Sequence, residues 1–144
     1  MLLLAIQAVR PAKNLSAPVR FSGKDDITAL YPPPAEVREI LQRSCYDCHS
    51  NRTEYPWYAE VQPVGWWLAN HIKEGKRQLN LSEFGAYSAK RQVKKLEALC
   101  DEVKDHAMPL TSYTLIHRSA KLSDAQINAV CQWAEGVQDK MAEK

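Results

Sequence analysis

The sequence lacks several features that would assign it to a common functional class. It has no glycine-rich nucleotide-binding loop, no nucleophile elbow, no internal repeat and no low-complexity tract. Its formal net charge is only +2 and it has no basic block, which argues against a nucleic-acid partner. No segment shows sustained strand alternation, so we expect helices and loops. The 144 residues suffice for one domain with a hydrophobic core.

Phenylalanine is also scarce, with two residues against four tryptophans and six tyrosines. Trp and Tyr combine apolar bulk with a polar group, so they suit both an ordinary core and the wall of a cofactor pocket. Tyr55, Trp57, Trp66 and Trp67 are the candidates for such a wall.

No apolar run is long enough to cross a bilayer, which takes about 20 residues. The apolar segment 1–9 also lacks the basic region that precedes a signal-peptide core. We interpret it as the remnant of a signal anchor, with a short buried or interfacial segment as the alternative. The next residues show no clear period and end at Tyr31-Pro32-Pro33-Pro34, a stiff extended stretch. We therefore predict an anchor remnant and linker over 1–31 and a domain over 32–144.

What the sequence does contain is a C-x-x-C-H motif, Cys45-Tyr46-Asp47-Cys48-His49. This spacing is typical of covalent c-type haem attachment, in which two thiols add to the haem vinyl groups and the histidine ligates the iron. The alternatives are a disulfide or half of a zinc site, but no second C-x-x-C pair is present. We predict one covalent haem c, held by Cys45 and Cys48, with His49 as the proximal iron ligand. Because c-type attachment takes place outside the cytoplasm, we also expect a periplasmic or other extracytoplasmic location.

The best candidate for the opposite side of the iron is Met108, followed by Pro109. A thioether is a soft ligand that raises the reduction potential of a c-type haem, and the proline stiffens the loop that presents it. His71, His106 and His117 are rivals because bis-histidine haems exist. We regard His71 as the main alternative distal ligand.

Apolar side chains recur at helical spacing in four segments. These are a helix that runs into the motif at Cys45, a helix over 65–74 that stops at Gly75, a helix capped by Ser88, and a helix that begins at the capping box Ser123-Asp124-Ala125-Gln126. The last helix carries one apolar stripe formed by Ile127, Val130, Cys131, Ala134 and Val137.

This order of elements resembles class I cytochrome c, and more closely the bacterial family called the haem-binding domain. The resemblance covers about residues 32–137. It rests on the stretches Cys45-Tyr46-Asp47-Cys48-His49-Ser50-Asn51, Tyr55-Pro56-Trp57-Tyr58, Leu79-Asn80-Leu81-Ser82 and Met108-Pro109-Leu110, and on Pro63, Trp66, Trp67, Gly75, Tyr113, His117, Leu122 and Ser123.

The resemblance implies an all-α fold, with class I cytochrome c-like helices packed around one covalently attached haem. It also implies an exported domain with a membrane anchor at the N-terminus. It implies no reaction, because the family is defined by haem binding. Arg52 or Lys73 are candidates to meet a haem propionate, since basic side chains pair with carboxylates.

Two cysteines lie outside the motif, Cys100 and Cys131, both on apolar faces of predicted helices. In an oxidising compartment they could form a disulfide that joins the last two long helices. The alternative is a pair of buried free thiols that pack as small hydrophobic groups.

Electron transfer is the leading functional hypothesis, because a haem with both axial positions filled leaves no site for a substrate. The partners would be other redox proteins. One alternative is a relay subunit of a larger membrane redox complex. Another is a haem enzyme or gas sensor with an open distal position and a base such as His71 or His106.

Overall fold

The computed structural model describes residues 2–143 and confirms an all-α fold. The α-helices in chain order are α1 (Leu2–Ile6), α2 (Ile27–Leu30), α3 (Ala35–Ser44), α4 (Tyr46–His49), α5 (Val64–Gln78), α6 (Ala89–Lys104), α7 (Thr111–Ile116) and α8 (Asp124–Ala142). Short 3-10 helices cover Trp57–Glu60, Leu81–Ala86 and Arg118–Ala120. No strand occurs in residues 2–143, where Leu15 and Arg52 form one isolated antiparallel bridge.

The core forms where α8 packs against α6 and α3. From α3 it receives Val37, Ile40 and Leu41, which recur at helical spacing and are almost fully buried. The helix starts directly after Pro34 and ends at Ser44. The haem motif therefore follows a rigid and well-packed element, as the sequence predicted.

The predicted start of α8 is confirmed. The Ser123 side chain accepts a hydrogen bond from the Gln126 backbone N–H, and the Gln126 side chain accepts one from the Ser123 backbone N–H. All five residues of the predicted apolar stripe are buried. Ser88 does precede α6, but its side chain makes no capping hydrogen bond.

The predicted end of α5 is wrong, because the helix continues through Gly75 to Gln78. Gly75 is needed for a close approach between helices. A Cβ atom on this residue would lie 2.7 Å from the carbonyl oxygen of Cys48. Gly75 therefore lets α5 pack directly against α4, the turn that carries the motif.

The segment predicted to be a linker packs into the domain. Asp26 and Ile27 are fully buried, and the Asp26 side chain caps α2 by accepting a hydrogen bond from Thr28 N at 2.9 Å. Hydrophobic burial therefore begins before the proposed boundary at residue 32. Nearer the N-terminus, Gln7 and Gln62 exchange two hydrogen bonds. Within residues 2–143, no helix is both long and apolar enough to cross a membrane.

Candidate functional site

The haem motif forms a single helical turn. The backbone N–H of His49 donates to the carbonyl of Cys45 at 2.9 Å, and that of Cys48 approaches the same oxygen at 3.2 Å. Residues three and four apart lie on one face of a helix, so Cys45, Cys48 and His49 project to the same side of the turn. This is the arrangement that one porphyrin would need from two thiols and an imidazole.

Tyr46 anchors this turn from the opposite side. Its side chain is fully buried, and its hydroxyl donates to Asp26 Oδ1 at 2.9 Å. Burial and the neighbouring Asp26 raise the pKa of Tyr46 above its usual value, so the phenol remains a donor. The Ser50 hydroxyl then donates to the Tyr46 carbonyl at 2.6 Å. Sequence reasoning missed Asp26 because it lies far upstream in a segment without a recognisable period.

Asp47 fixes the turn through three further contacts. Its carboxylate pairs with Arg20, accepts a hydrogen bond from the Tyr113 hydroxyl at 2.6 Å, and accepts another from the Glu54 backbone N–H at 3.0 Å. The Tyr113 ring stacks on His117 with 4.4 Å between centroids. Tyr113 contacts Asp47 directly and His117 packs on Tyr113, so both residues help to hold the motif turn in place.

A cavity of about 390 Å³ opens beside the motif. Cys45 and His49 line it from the motif turn, and Met108 lines it from the loop after α6. Most of the remaining wall is aliphatic and includes Leu79, Leu81, Leu99, Val103, Pro109 and Leu122. The size lies within the range of about 300–1,000 Å³ that is usual for small-molecule and cofactor sites. A thiol, an imidazole and a thioether around one apolar space form a donor set that fits haem.

His49 is held in the form that a metal ligand requires. Its Nδ1 lies 3.0 Å from the Leu79 carbonyl oxygen, so we assign the proton to Nδ1, which leaves Nε2 as the free donor atom. Burial lowers the pKa of His49, and the carbonyls of Leu79 and Gly75 oppose that effect. Because a ligating histidine must be neutral, burial favours the binding form.

The two motif cysteines differ in their surroundings. Cys45 lines the cavity, whereas Cys48 does not line it and lies beside Gly75. Burial raises the pKa of both thiols to about 12, with smaller contributions from Cys48 to Cys45 and from Asp47 to Cys48. Both thiols are therefore protonated near neutral pH in the folded chain. Within residues 2–143, no group of three or more His, Cys, Asp or Glu side chains is placed to hold a metal ion.

Met108 reaches the cavity because the chain turns back on α6. The backbone N–H groups of Ala107 and Met108 both donate to the Glu102 carbonyl, at 2.9 and 3.0 Å. These bonds close the end of the helix. The Met108 side chain is half-buried and packs against the hydrophobic core. The structure thus brings Met108 and His49 to the same cavity although they are distant in sequence.

None of the three rival histidines lines this cavity. His71 Nδ1 lies 2.9 Å from the Trp67 carbonyl oxygen, and its ring packs on Trp67 with 4.1 Å between centroids. His106 is exposed and lines an adjoining cavity, which shares Met108 with the motif cavity. His117 Nε2 lies 2.6 Å from the Tyr58 hydroxyl.

The aromatic residues predicted to form the pocket wall do not line this cavity. Trp57 is 80% exposed, and the indole N–H of Trp66 donates to the Val9 carbonyl at 2.7 Å. The Tyr55 hydroxyl accepts a hydrogen bond from Asn14 N at 2.6 Å. Trp66 and Tyr55 therefore hold the N-terminal segment against the domain, and the cavity wall is aliphatic.

The two basic residues proposed to meet a propionate also lie elsewhere. Arg52 donates to the Ala17 carbonyl at 3.3 Å, and Lys73 lines a different cavity. Lys95 of α6 lines the motif cavity instead. The sequence did not single out Lys95, because a lysine beside the apolar stripe of a helix usually lies on the solvated face.

Cys100 and Cys131 are free, buried thiols in the structure. The Cys131 Sγ lies 3.9 Å from the Cys100 carbonyl oxygen, so the two residues meet where α6 packs on α8. Burial and Cys131 raise the pKa of Cys100 beyond the titration range of an ordinary thiol. This arrangement matches the alternative of two thiols that pack as hydrophobic groups, and no disulfide is formed.

A sequence model described as the haem-binding domain covers residues 1–136, which is nearly the whole chain. No curated protein and no solved structure matches.

Proposed function

This chain belongs to the haem-binding domain family, and we propose that it is a single-haem c-type cytochrome that carries one electron between redox partners. The observation that carries this proposal is the cavity shared by Cys45, His49 and Met108. It joins the only C-x-x-C-H motif of the sequence to the methionine loop. When bound, a haem at this site supplies a one-electron iron couple.

In this proposal Cys45 and Cys48 would hold the haem through thioether bonds, and His49 would bind the iron. The hydrogen bond from His49 to the Leu79 carbonyl orients the imidazole and increases its basicity. Met108 would supply the second protein ligand to the iron. The aliphatic wall and the thioether both favour the reduced iron, since a low-polarity site disfavours the extra charge of the oxidised state.

The composition of the cavity supports a carrier more than an enzyme. A haem enzyme needs a free iron position and a nearby base. Among the described residues that line the cavity, His49 is the one histidine, and His71 and His106 lie outside. Glu102 is the one carboxylate there, and it lies on the exposed side of α6.

We further propose that the protein works outside the cytoplasm and exchanges electrons with other redox proteins, either freely or within a membrane complex. The exposed side chains of Gln78, Ala98 and Glu102 lie at the rim of the cavity. This rim is the surface at which a partner would approach the haem most closely. The small net charge of +2 predicts weak steering of that partner by salt-dependent forces.

The first experiment tests covalent attachment. The exported protein is produced with a c-type maturation system, and its haem is extracted with acidified acetone. Haem should remain with the wild-type protein and be released or absent in the double variant Cys45→Ala/Cys48→Ala, because either thiol alone could still hold the haem through one thioether bond. Cys100→Ala and Cys131→Ala are matched controls, because each removes a thiol outside the motif. Equal retention of haem by the double variant and by the two controls would contradict the proposal.

The second experiment tests the carrier role. Reduced protein is mixed in a stopped-flow instrument with small cytochrome and copper-protein acceptors. We expect rapid oxidation, with rates that fall only modestly as salt rises to physiological levels. Slow exchange with every acceptor, together with rapid peroxide consumption by the native protein, would support the enzyme alternative instead.

A further inference from the structure

Lys95 occupies a distinctive position in the motif cavity. It lies on α6 on the same helix face as Leu99 and Glu102, and all three side chains line the cavity. The Lys95 ammonium group donates a hydrogen bond to the Gln78 carbonyl. Gln78 immediately precedes Leu79, whose carbonyl binds His49. Lys95 is thus tied to the segment that orients the proximal ligand.

No carboxylate neutralises this ammonium group among the ion pairs of the described residues. Glu102 is two helical turns away along α6, about 10 Å at 1.5 Å per residue. Burial lowers the pKa of Lys95, and the nearby cations Arg91 and Arg77 add smaller contributions in the same direction. This end of the cavity therefore carries positive charge that faces a neutral carbonyl rather than an anion.

Other basic residues near the methionine loop are placed differently. Arg118 and Lys121 line, together with His106, the adjoining cavity that shares Met108, Pro109 and Leu122 with the motif cavity. Within residues 2–143, Lys95 is the one lysine or arginine that lines the motif cavity. A ligand with an acidic group in this space would meet its counter-charge at Lys95.

We infer that Lys95 binds a propionate carboxylate of the haem. The propionates of a haem lie on a different edge of the porphyrin from the vinyl groups. Cys45 reaches the cavity from the end of α3, whereas Lys95 reaches it from α6, so the two residues can serve different edges. The inference rests on the proposed function, because that proposal puts the haem in this cavity.

The pairing has a chemical consequence. A charge-assisted hydrogen bond from Lys95 keeps the propionate ionised and offsets its negative charge near the iron. Without Lys95, the unpaired carboxylate stabilises the oxidised iron, and the reduction potential falls. The propionate pKa also rises, so the potential becomes more pH-dependent under mildly acidic conditions.

Zero-length cross-linking tests the contact directly. A water-soluble carbodiimide activates carboxylates and joins them to a touching amine, with the lost water taken up as urea. In the haem-loaded wild-type protein, mass spectrometry of a digest should find the Lys95 peptide joined to the haem peptide of Cys45 and Cys48. Lys95→Arg keeps the charge but has no reactive amine, so this cross-link should be lost.

Potentiometry supplies the second readout. Lys95→Gln should lower the reduction potential and increase its pH dependence, whereas Lys95→Arg should stay close to wild type. Lys94→Gln is the matched control, because Lys94 is exposed and does not line the cavity. An absent Lys95 cross-link, with equal potentials for Lys95→Gln and Lys94→Gln, would overturn the inference while covalent haem and axial ligation stand. A protein that attaches no haem would overturn the proposed function and this inference together.

Discussion

Gly75 and Cys48 are so close that a Cβ atom on Gly75 would lie 2.7 Å from the Cys48 carbonyl oxygen and 3.1 Å from the Cys48 Cβ. The obstacle is backbone, which cannot swing aside as a flexible side chain could. The contact joins the last turn of α5 to the turn that carries both motif cysteines and His49. The position of that turn therefore depends on the absence of a side chain at residue 75.

Gly75→Ala should destabilise the protein by about 1–3 kcal/mol, because overpacking outweighs the gain in helix propensity of about 1 kcal/mol. Gly136 in α8 is a matched control, since a Cβ there meets nothing within 4 Å. Gly136→Ala should stabilise the protein by about 0.5–1 kcal/mol. Urea unfolding measures both values. Equal stabilisation by the two substitutions would show that α5 and α4 are not in tight contact.

Met108→Ala should open one axial position, because Met108 is the thioether that faces the cavity with His49. The variant should bind carbon monoxide without denaturant and have a lower reduction potential than wild type. Met141→Ala is the control, since Met141 packs on the core from α8 and does not line the cavity. Visible spectra with and without carbon monoxide distinguish them. If Met108→Ala keeps the wild-type spectrum and His71→Ala changes it, His71 is the distal ligand.

Tyr46→Phe should destabilise the protein by about 1–3 kcal/mol, because it removes a donor from the buried side chain of Asp26. Asp26 Oδ1 would keep only its two hydrogen bonds from Thr28, and Oδ2 has no hydrogen-bond partner, so the buried carboxylate would be less well satisfied. The measurement is urea unfolding of Tyr46→Phe, Asp26→Asn and the double variant. Strictly additive effects of the two substitutions would mean that the Tyr46–Asp26 bond contributes nothing.

Ser123→Ala should destabilise the protein by about 1 kcal/mol, since it removes the acceptor of the capping box at the start of α8. Ser88→Ala is the comparison, because Ser88 stands at the same position of α6 without a side-chain capping bond. Its effect should be smaller, as judged by thermal or urea unfolding. A larger loss for Ser88→Ala would contradict the assignment of the two caps.

The sequence alone predicted the features that depend on residues close together in the chain. Apolar spacing identified α3, α6 and α8, and the capping box located the first turn of α8, because helix periodicity and capping involve residues a few positions apart. The haem motif could be recognised for the same reason, because its five residues are consecutive in the sequence. The family match then confirmed haem binding for the chain.

Tertiary packing decided which residues from distant segments of the chain come into contact. Gly75 lies within α5 rather than at its end. A glycine stands there because the backbone of Cys48 packs directly against it from α4. Ile27 is buried in the core although its segment shows no apolar periodicity. Its burial depends on residues elsewhere in the chain that pack against it. Lys95 lines the motif cavity because of how distant segments pack together, which the spacing of residues within α6 does not show. Such contacts join residues far apart in the chain, so spacing within one segment cannot reveal them.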